Sequence, residues 1–315
     1  MQLKQAVDAA YQLFLAEDVP SPRLNAELLA LFVLGRDRAY LYAHPERELT
    51  REEQSRYDEI VKQRARGCPT QYITGHQEFW GLDLLVSPAV LIPRPETEHL
   101  IETVLELVQR EYQDHQVHAA EQAQECARLD SGRMRIVDVG TGSGSIALAL
   151  ASELSNAEIH ACDISDEALE MARVNAARLG LGGHVLFRKS DLLETYLPSQ
   201  TTGDSKDMPA QYDFVVSNPP YVGELEWDKV QRQVREFEPR VAVFSGPEGL
   251  DVYRRLIPQA HAILRPCGWF VTEIGYSIEP QVKQLLSSEN GWSDVQTTPD
   301  LQGIPRVIAA RKLST

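Results

Sequence analysis

The spacing of apolar and polar positions indicates a helical first part of the chain. Up to about residue 70, apolar residues recur at helical intervals, as in Val7, Ala10, Tyr11 and Phe14. Thr50 and Glu53 have the spacing of a capping box, which marks the start of a charged helix. We therefore expect an all-α domain over residues 1–70.

A connector without helical periodicity follows, over residues 71–95. It is rich in proline, glycine, aromatic and β-branched residues, and predicts a short β-hairpin or an extended linker. Helical spacing resumes at Glu96. The polar stretch at 113–132 is either a continuation of that helix or a loop.

From Arg135 onward, short apolar runs alternate with amphipathic helical segments. The runs predicted to form strands are RIVDV, AEIHACDI, HVLFRKSD, YDFVVS and CGWFVTEIG, with a terminal strand pair within 292–312. Continuous apolar runs are typical of strands that are buried on both faces. The alternation predicts an α/β fold over 96–315, with a doubly wound, mostly parallel sheet of seven strands. A second polar insertion, 198–211, is expected to be a surface loop, and Pro258 to interrupt or delay one helix.

Composition and charge narrow the class of protein. Of the 315 residues, 43% are hydrophobic and 24% charged, as in soluble globular proteins, and no apolar run reaches the ~20 residues of a membrane span. The net charge of -15 argues mildly against free DNA or RNA as a substrate, because proteins that bind phosphates usually present a basic face. The four cysteines form no C-x-x-C pair, so we expect no metal site and a cytoplasmic location.

A glycine loop carries the first candidate ligand site. It follows a buried strand, opens a helix and comprises Gly140, Thr141, Gly142, Ser143 and Gly144. Loops at this point of an α/β sheet bind nucleotide cofactors, since glycine lets the backbone turn tightly and approach a ligand. The spacing is G-x-G-x-G, which differs from the dinucleotide fingerprint. A tight turn without a ligand is the alternative.

The ends of the next two strands carry further candidates. Asp163 can accept the two ribose hydroxyls of an adenosine. Its other possible role is to cap the following helix, which Asp166 fits better. Asp191 and Leu192 would lie beside an adenine ring, although a simple strand end explains them almost equally well.

The sharpest pattern is Asn218-Pro219-Pro220-Tyr221, after the fourth strand of the sheet. Two consecutive prolines cannot continue a strand ladder and make the backbone stiff. A stiff loop can direct two acceptors, the Asn218 side-chain carbonyl and the Pro219 backbone carbonyl, at the two hydrogens of one planar NH2 group. Tyr221 could pack on that planar group. Together with the glycine loop, this pattern predicts group transfer to a planar nitrogen.

With these motifs, the chain resembles the class I S-adenosylmethionine-dependent methyltransferases. More narrowly, it resembles the release factor glutamine methyltransferases, the HemK/PrmC family. The resemblance spans nearly the whole chain, and the segments that carry it are EFWGL, LIPRPETE, DVGTGSG, NPPY and FEP. NPPY alone also occurs in DNA adenine methyltransferases and other amino-methyltransferases, so the combination is the more specific signal.

The resemblance implies methyl transfer from S-adenosyl-L-methionine to the side-chain amide nitrogen of the glutamine in the Gly-Gly-Gln motif of bacterial class-one release factors. It places Gly140 to Gly144, Asp163, Asp191, Leu192 and Asn218 at the cofactor. It places Asn218, Pro219, Pro220 and Tyr221 at the substrate glutamine, and implies that the helical domain helps to dock the release factor.

The roles of three residues in LIPRPETE are not assigned at this point, and three alternative functions are still possible. Arg94, Glu96 and Glu98 match a family motif beside the cofactor, but a helix start with acids favoured by the helix dipole explains them as well. The alternative functions are a DNA or RNA amino-methyltransferase, an enzyme that methylates another protein glutamine or a small amine, and a binding module without activity.

Overall fold

The computed structural model describes residues 1–118, 133–197 and 211–314. The chain divides into two compact units. The first contains Met1–His76, Val86–Pro88 and Val230–Glu238; the second contains Gln77–Leu85, Ala89–Lys229 and Pro239–Thr315. Most of the two polar stretches predicted at 113–132 and 198–211 lies outside the described residues.

The first unit is built on helices, as the sequence predicts. They are α1 (Leu3–Ala16), α2 (Pro22–Leu34), α3 (Arg38–Ala43), α4 (Arg51–Ala65) and α5 (Thr70–Thr74). Phe14 and Leu29 are fully buried between them. The predicted capping box is confirmed, since Thr50 Oγ1 accepts from the Glu53 N–H and Glu53 Oε2 accepts from the Thr50 N–H, at 3.2 and 2.9 Å.

A hairpin and a long helix follow. The hairpin strands are β1 (His76–Phe79) and β2 (Leu82–Leu85), which bears out the hairpin alternative for the connector. The absence of helix expected from residue 71 onward is wrong for its first residues, which belong to α5. A 3-10 turn over Pro95–Thr97 then leads into α6 (Glu98–His118). Asn175 holds β2 in place, because its side chain bonds to both the N–H and the C=O of Leu85, at 2.7 and 2.9 Å.

The second unit is built on a seven-stranded sheet. Its strands are β3 (Arg135–Val139), β4 (Glu158–Asp163), β5 (Val185–Lys189), β6 (Tyr212–Ser217), β7 (Leu264–Glu273), β8 (Trp292–Pro299) and β9 (Pro305–Lys312). The helices that lie between these strands in the sequence are α7 (Ser145–Glu153), α8 (Asp166–Arg178), α9 (Arg232–Phe237), α10 (Arg240–Val243), α11 (Asp251–Ile263) and α12 (Glu279–Ser288). Of these, α9 belongs to the first unit. The strand order is β5-β4-β3-β6-β7-β9-β8, and β9 runs in the direction opposite to the other six strands.

Both faces of this sheet are covered, which confirms the doubly wound fold. Ile136 and Val137 are adjacent in β3 but belong to different apolar clusters. The cluster around Ile136 includes residues of α6, α7 and α8, whereas the cluster around Val137 includes residues of α11 and α12. Strand residues buried on both faces explain why the apolar runs in the sequence are continuous.

The expected interruption of a helix at Pro258 is wrong. Helix α11 continues through this residue. Pro258 is exposed, and so is Arg254, whose carbonyl loses its usual partner because proline has no N–H. Water can solvate that carbonyl, while the opposite side of the helix is held by buried apolar residues such as Leu256.

The segment Val230–Glu238 belongs to the first unit although it lies between β6 and β7 in sequence. Arg64 Nη2 of α4 donates to Gln233 Oε1 of α9 at 3.1 Å. Gly67 lies so close to Phe237 that an added Cβ would be 3.2 Å from its ring. The chain thus returns to the helical unit soon after the NPPY segment.

Candidate active site

The register of the sheet brings the candidate residues to one edge. Val139 pairs with Cys162 on one side and with Ser217 on the other, and Ser217 pairs with Thr272. One residue further along each parallel strand, at the carboxyl edge, the following lie side by side: Asp163, Gly140, Asn218 and Glu273. Neighbouring strands are ~4.8 Å apart, so these four positions span about 15 Å at the point where the topology reverses.

The glycines of the loop have different surroundings. Gly140, Gly142 and Gly144 all have positive φ, at 73°, 55° and 86°. A Cβ at Gly140 or Gly142 would meet nothing within 4 Å, whereas one at Gly144 would be 3.1 Å from Leu148 and 3.2 Å from Ala172. The first two glycines therefore leave open space for a ligand, and Gly144 allows close packing against α7 and α8.

Asp138 supports the loop from inside. Its Oδ2 accepts from Thr141 Oγ1 at 2.6 Å and from the Ala147 N–H at 3.2 Å, while Oδ1 has no partner among the described residues. Burial raises the pKa of Asp138 to about 7. Thr141 and Ser143 are also buried, so their side chains point away from solvent.

Asp163 connects the loop to the end of β4. Its Oδ2 accepts from the Gly142 N–H and its Oδ1 from the Ser165 N–H, each at 2.9 Å. Burial raises the pKa of Asp163, against these two hydrogen bonds. The expectation that Asp166 caps α8 is wrong: Ser165 is the N-cap and accepts from the Ala168 N–H at 3.1 Å, while Asp166 pairs with Lys189.

Asp191 and Leu192 lie just after β5. Asp191 Oδ2 is 2.7 Å from Arg255 Nη2, so one carboxylate oxygen already has a cationic partner. Leu192 has a φ of 50°, a left-handed conformation that costs a residue with a Cβ roughly 1–2 kcal/mol. Its carbonyl accepts from the Cys162 thiol at 3.3 Å. Local strain of this kind occurs often at ligand sites.

The NPPY segment is held by a chain of hydrogen bonds. Asn218 Nδ2 donates to Thr97 Oγ1 at 2.9 Å, and Thr97 Oγ1 donates to Glu273 Oε2 at 2.5 Å. The Tyr221 hydroxyl donates to Glu273 Oε1 at 3.1 Å, so Tyr221 is anchored to β7. Asn218 is half-buried and is held through Nδ2, and Pro219 is buried. No described residue donates to Asn218 Oδ1 or to the Pro219 carbonyl, so neither oxygen has a partner within the described part of the chain.

Sequence reasoning did not identify Thr97 or Glu273 as functional residues. Both are almost fully buried, at 2% exposure each. Burial raises the pKa of Glu273 to about 7, against its hydrogen bonds to Thr97 and Tyr221. One signal was present in the sequence: Glu273 is a single carboxylate that ends the apolar strand WFVTE, at the edge where ligands bind.

The structure separates the three residues of LIPRPETE that had no assigned role. Glu98 Oε1 accepts from the Trp80 N–H at 3.0 Å and so ties the hairpin turn to α6. The charge of Glu96 contributes to raising the pKa of Glu273, and that of Arg94 to lowering the pKa of Tyr221. Glu96 and Arg94 are thus placed near the buried network.

The described residues contain neither a metal-binding cluster nor a helix that could cross a membrane. No group of three or more His, Cys, Asp or Glu side chains there could hold a metal ion. None of the helices within these ranges combines the length and the apolar character needed to cross a membrane.

Two family descriptions match separate parts of the chain. Residues 5–75 match the PrmC N-terminal domain. Residues 130–287, which include the glycine loop and the NPPY segment, match a methyltransferase domain.

Individual proteins resemble it along almost the whole length. The release factor glutamine methyltransferase of Koribacter versatilis is 53% identical over 312 residues, 99% of each chain. That of Streptomyces coelicolor is 37% identical over 294 residues, 93% of this chain and 92% of the other. Among solved structures, the hMettl16 catalytic domain in complex with the MAT2A 3'UTR hairpin 1 is 18% identical, covers 81% of this chain and 80% of that chain, and has a TM-score of 0.52, a likeness of fold alone.

Proposed function

The chain belongs to the family of release factor glutamine methyltransferases, and we propose that its site methylates the glutamine of the Gly-Gly-Gln motif with S-adenosylmethionine as the methyl donor. The enzyme transfers a methyl group to a glutamine side chain of a release factor. The observation that carries the proposed geometry is the register that places Asn218, held through Nδ2, level with the open glycine loop.

The open side of the glycine loop fits S-adenosylmethionine. Gly140 and Gly142 leave space that a Cβ would fill, and Asp163 lies at the adjacent strand end, where its oxygens can accept ribose hydroxyls. Leu192 and Asp191 would lie by the adenine, with Asp191 Oδ1 as the oxygen not paired to Arg255. When bound, this cofactor supplies a methyl carbon on a positively charged sulfur, which is a good leaving group.

The NPPY segment would hold the substrate amide. Asn218 Oδ1 and the Pro219 carbonyl each accept one N–H of the glutamine NH2 group, which fixes the nitrogen relative to the donor. An amide nitrogen is a poor nucleophile because its lone pair is delocalised, so orientation matters; well-oriented reactants can gain about 7–11 kcal/mol. Pro220 stiffens the turn, and Tyr221, anchored on Glu273, would form the wall beside the amide. The proton leaves to solvent after attack.

The helical domain, residues 1–70, would help to dock the release factor, with 71–95 as the connector and 96–315 as the methyltransferase domain. The match of residues 5–75 to the PrmC N-terminal domain supports this division. Because release factors act in translation, the enzyme would work in the cytoplasm.

Mass spectrometry of a purified release factor tests the proposal directly. After incubation with the enzyme and S-adenosylmethionine, we expect one added methyl group on the glutamine of the Gly-Gly-Gln tryptic peptide. A release factor with that glutamine changed to alanine is the matched control and should gain none. Methylation of DNA or RNA, with no methyl group on the release factor, would contradict the proposal.

A further inference from the structure

The side-chain amide of Asn218 can be useful as a clamp in only one of its two orientations. With Oδ1 toward the substrate it accepts an N–H; rotated by 180°, it presents a second NH2 group to the substrate NH2. The two orientations have the same shape, so packing alone does not distinguish them. Whatever selects the orientation must do so by hydrogen bonding.

The network behind Asn218 makes that selection. An ionised carboxylate only accepts hydrogen bonds, so both hydroxyls that meet Glu273, those of Thr97 and Tyr221, must donate to it. The single hydroxyl proton of Thr97 is then directed at Glu273. Thr97 Oγ1 can offer only a lone pair to Asn218, and the group that fits a lone pair is the Nδ2 amino group, 2.9 Å away.

We propose that Thr97 and Glu273 are positioning residues, which fix the Asn218 amide so that its oxygen faces the substrate nitrogen. This inference rests on the proposed function, because it assigns the source of the acceptor that the glutamine needs. It adds two residues, from the turn before α6 and from the end of β7, to a site predicted from β3, β4, β5 and β6.

The placement of Glu273 argues against a purely structural role. A buried carboxylate without a cation is costly, and Glu273 forms no ion pair with any described lysine or arginine. The groups around it are the hydroxyls of Thr97 and Tyr221, the charges of Glu96 and Arg306, and Tyr253, whose hydroxyl donates to the Glu273 carbonyl at 2.7 Å. A glutamine or methionine would fill the same volume at lower cost, but neither provides two acceptors.

The network also predicts a pH dependence. Because burial raises the pKa of Glu273 to about 7, this group takes up a proton as the pH falls below neutrality. A proton on Oε2 would donate to Thr97 and release the Thr97 proton, which could then turn to Asn218 Oδ1. The orientation of the amide is then no longer fixed, and we expect turnover to fall on the acid side of pH 7.

Two substitutions of Thr97 form the matched test. Thr97→Val keeps the shape and removes the hydroxyl, whereas Thr97→Ser keeps the hydroxyl. We expect Thr97→Val to lower kcat for release factor methylation at least tenfold, with KM and the Kd for S-adenosylmethionine within threefold of the wild type. Thr97→Ser should restore kcat to within threefold. Equal kcat in wild type and Thr97→Val, or an equal loss of kcat in both variants, would overturn the relay, by which we mean the hydrogen-bonded series Glu273–Thr97–Asn218.

Glu273→Gln provides an independent variant if Thr97→Val does not fold. Glutamine offers one acceptor and one donor in place of two acceptors, so it no longer forces the Thr97 proton toward residue 273. We expect a lower kcat at pH 8 and loss of the acid limb near pH 7. A pH profile identical to that of the wild type would contradict the role given to Glu273.

A measurement without turnover separates this inference from the proposed function. In protein labelled with ¹⁵N at asparagine, the Asn218 side-chain signal is identified by its absence in Asn218→Ala. Its NH2 protons should exchange slowly in the wild type and Thr97→Ser, and at least fivefold faster in Thr97→Val. Equal exchange in all three overturns the relay. A wild-type protein that protects Asn218 but methylates no release factor would contradict the proposed function and leave the relay supported.

Discussion

The carboxylate of Asp163 accepts a hydrogen bond from the backbone N–H of Gly142, with 2.9 Å between Oδ2 and N. This contact joins the end of β4 to the middle of the glycine loop on β3. Asp163 therefore has two possible effects on a bound cofactor: it can accept hydroxyls directly, and it holds the loop in the shape that leaves space above Gly142.

Asp163→Ala should weaken cofactor binding. Hydrogen bonds to charged groups contribute about 1.5–3 kcal/mol, so we expect the Kd for S-adenosylmethionine to rise roughly 10- to 100-fold in isothermal titration calorimetry. Asp166→Ala is the control, since this carboxylate lies three residues away and pairs with Lys189 on the surface. An unchanged Kd in Asp163→Ala would remove Asp163 from the site.

Asn218→Ala should lower turnover far more than it lowers the affinity for the cofactor. The side chain supplies one of two acceptors for the substrate amide, and loss of one such oriented group typically lowers kcat about 10²- to 10³-fold. We expect the Kd for S-adenosylmethionine to change less than threefold. Methylation at the wild-type rate, measured by transfer of a radioactive methyl group to the release factor, would show that the clamp is wrong.

Gly142→Ala and Gly144→Ala should fail in different ways. A Cβ at Gly142 enters the open space of the proposed cofactor site, whereas one at Gly144 presses on Leu148 and Ala172. Both positions have positive φ, so each variant carries about 1–2 kcal/mol of backbone strain. We expect the larger rise in cofactor Kd for Gly142→Ala and the larger fall in Tm for Gly144→Ala. The reverse order would contradict the assignment of the open side.

The sequence was sufficient to predict the sheet and the residues at its edge. Continuous apolar runs identify buried parallel strands, and candidate ligand residues follow directly where those runs end, as Asp163 follows EIHAC and Asn218 follows YDFVVS. Since parallel strands end at the same edge, proximity of these residues follows from the fold class. The order of the strands, which places Asn218 beside the glycine loop, depended on resemblance.

The network behind the clamp could not be predicted in this way. Thr97 and Glu273 are 176 residues apart, and their contact depends on how the turn before α6 lies against the end of β7. The return of Val230–Glu238 to the helical unit is likewise invisible, because six residues of α9 give too short a pattern to show which surface they bury against. Long-range packing of short polar segments leaves little periodic signal.

Arg64 should be important for the stability of the helical unit. Arg64 is 3% exposed. Its guanidinium donates to Asn25 Oδ1, to the Cys68 carbonyl and to Gln233 Oε1, and burial lowers the pKa of this group. Arg64→Leu removes three part-buried hydrogen bonds from a charged donor, and such bonds contribute about 1.5–3 kcal/mol each. We expect a fall of at least about 2 kcal/mol in the free energy of unfolding measured with urea. The exposed Arg66→Leu should change it by less than about 0.5 kcal/mol; equal effects would contradict this role.

The buried acids Asp138 and Glu273 should make the ligand-free protein less stable as the pH rises toward 7. Burial raises the pKa of each to about 7, whereas the unfolded chain loses these protons near pH 4. Between these values the folded state holds more protons than the unfolded state, so the free energy of unfolding falls with increasing pH. His160 and His261 have the opposite effect on the free energy of unfolding below pH 6.5. Because burial lowers their pKa values, the unfolded state binds more of their protons, and their contribution to stability rises with pH. The variant Asp138→Asn isolates the contribution of this acid. Measured by urea unfolding, the free energy of unfolding should fall less between pH 5 and pH 7.5 in this variant than in the wild type. An equal fall in both proteins would show that Asp138 titrates normally.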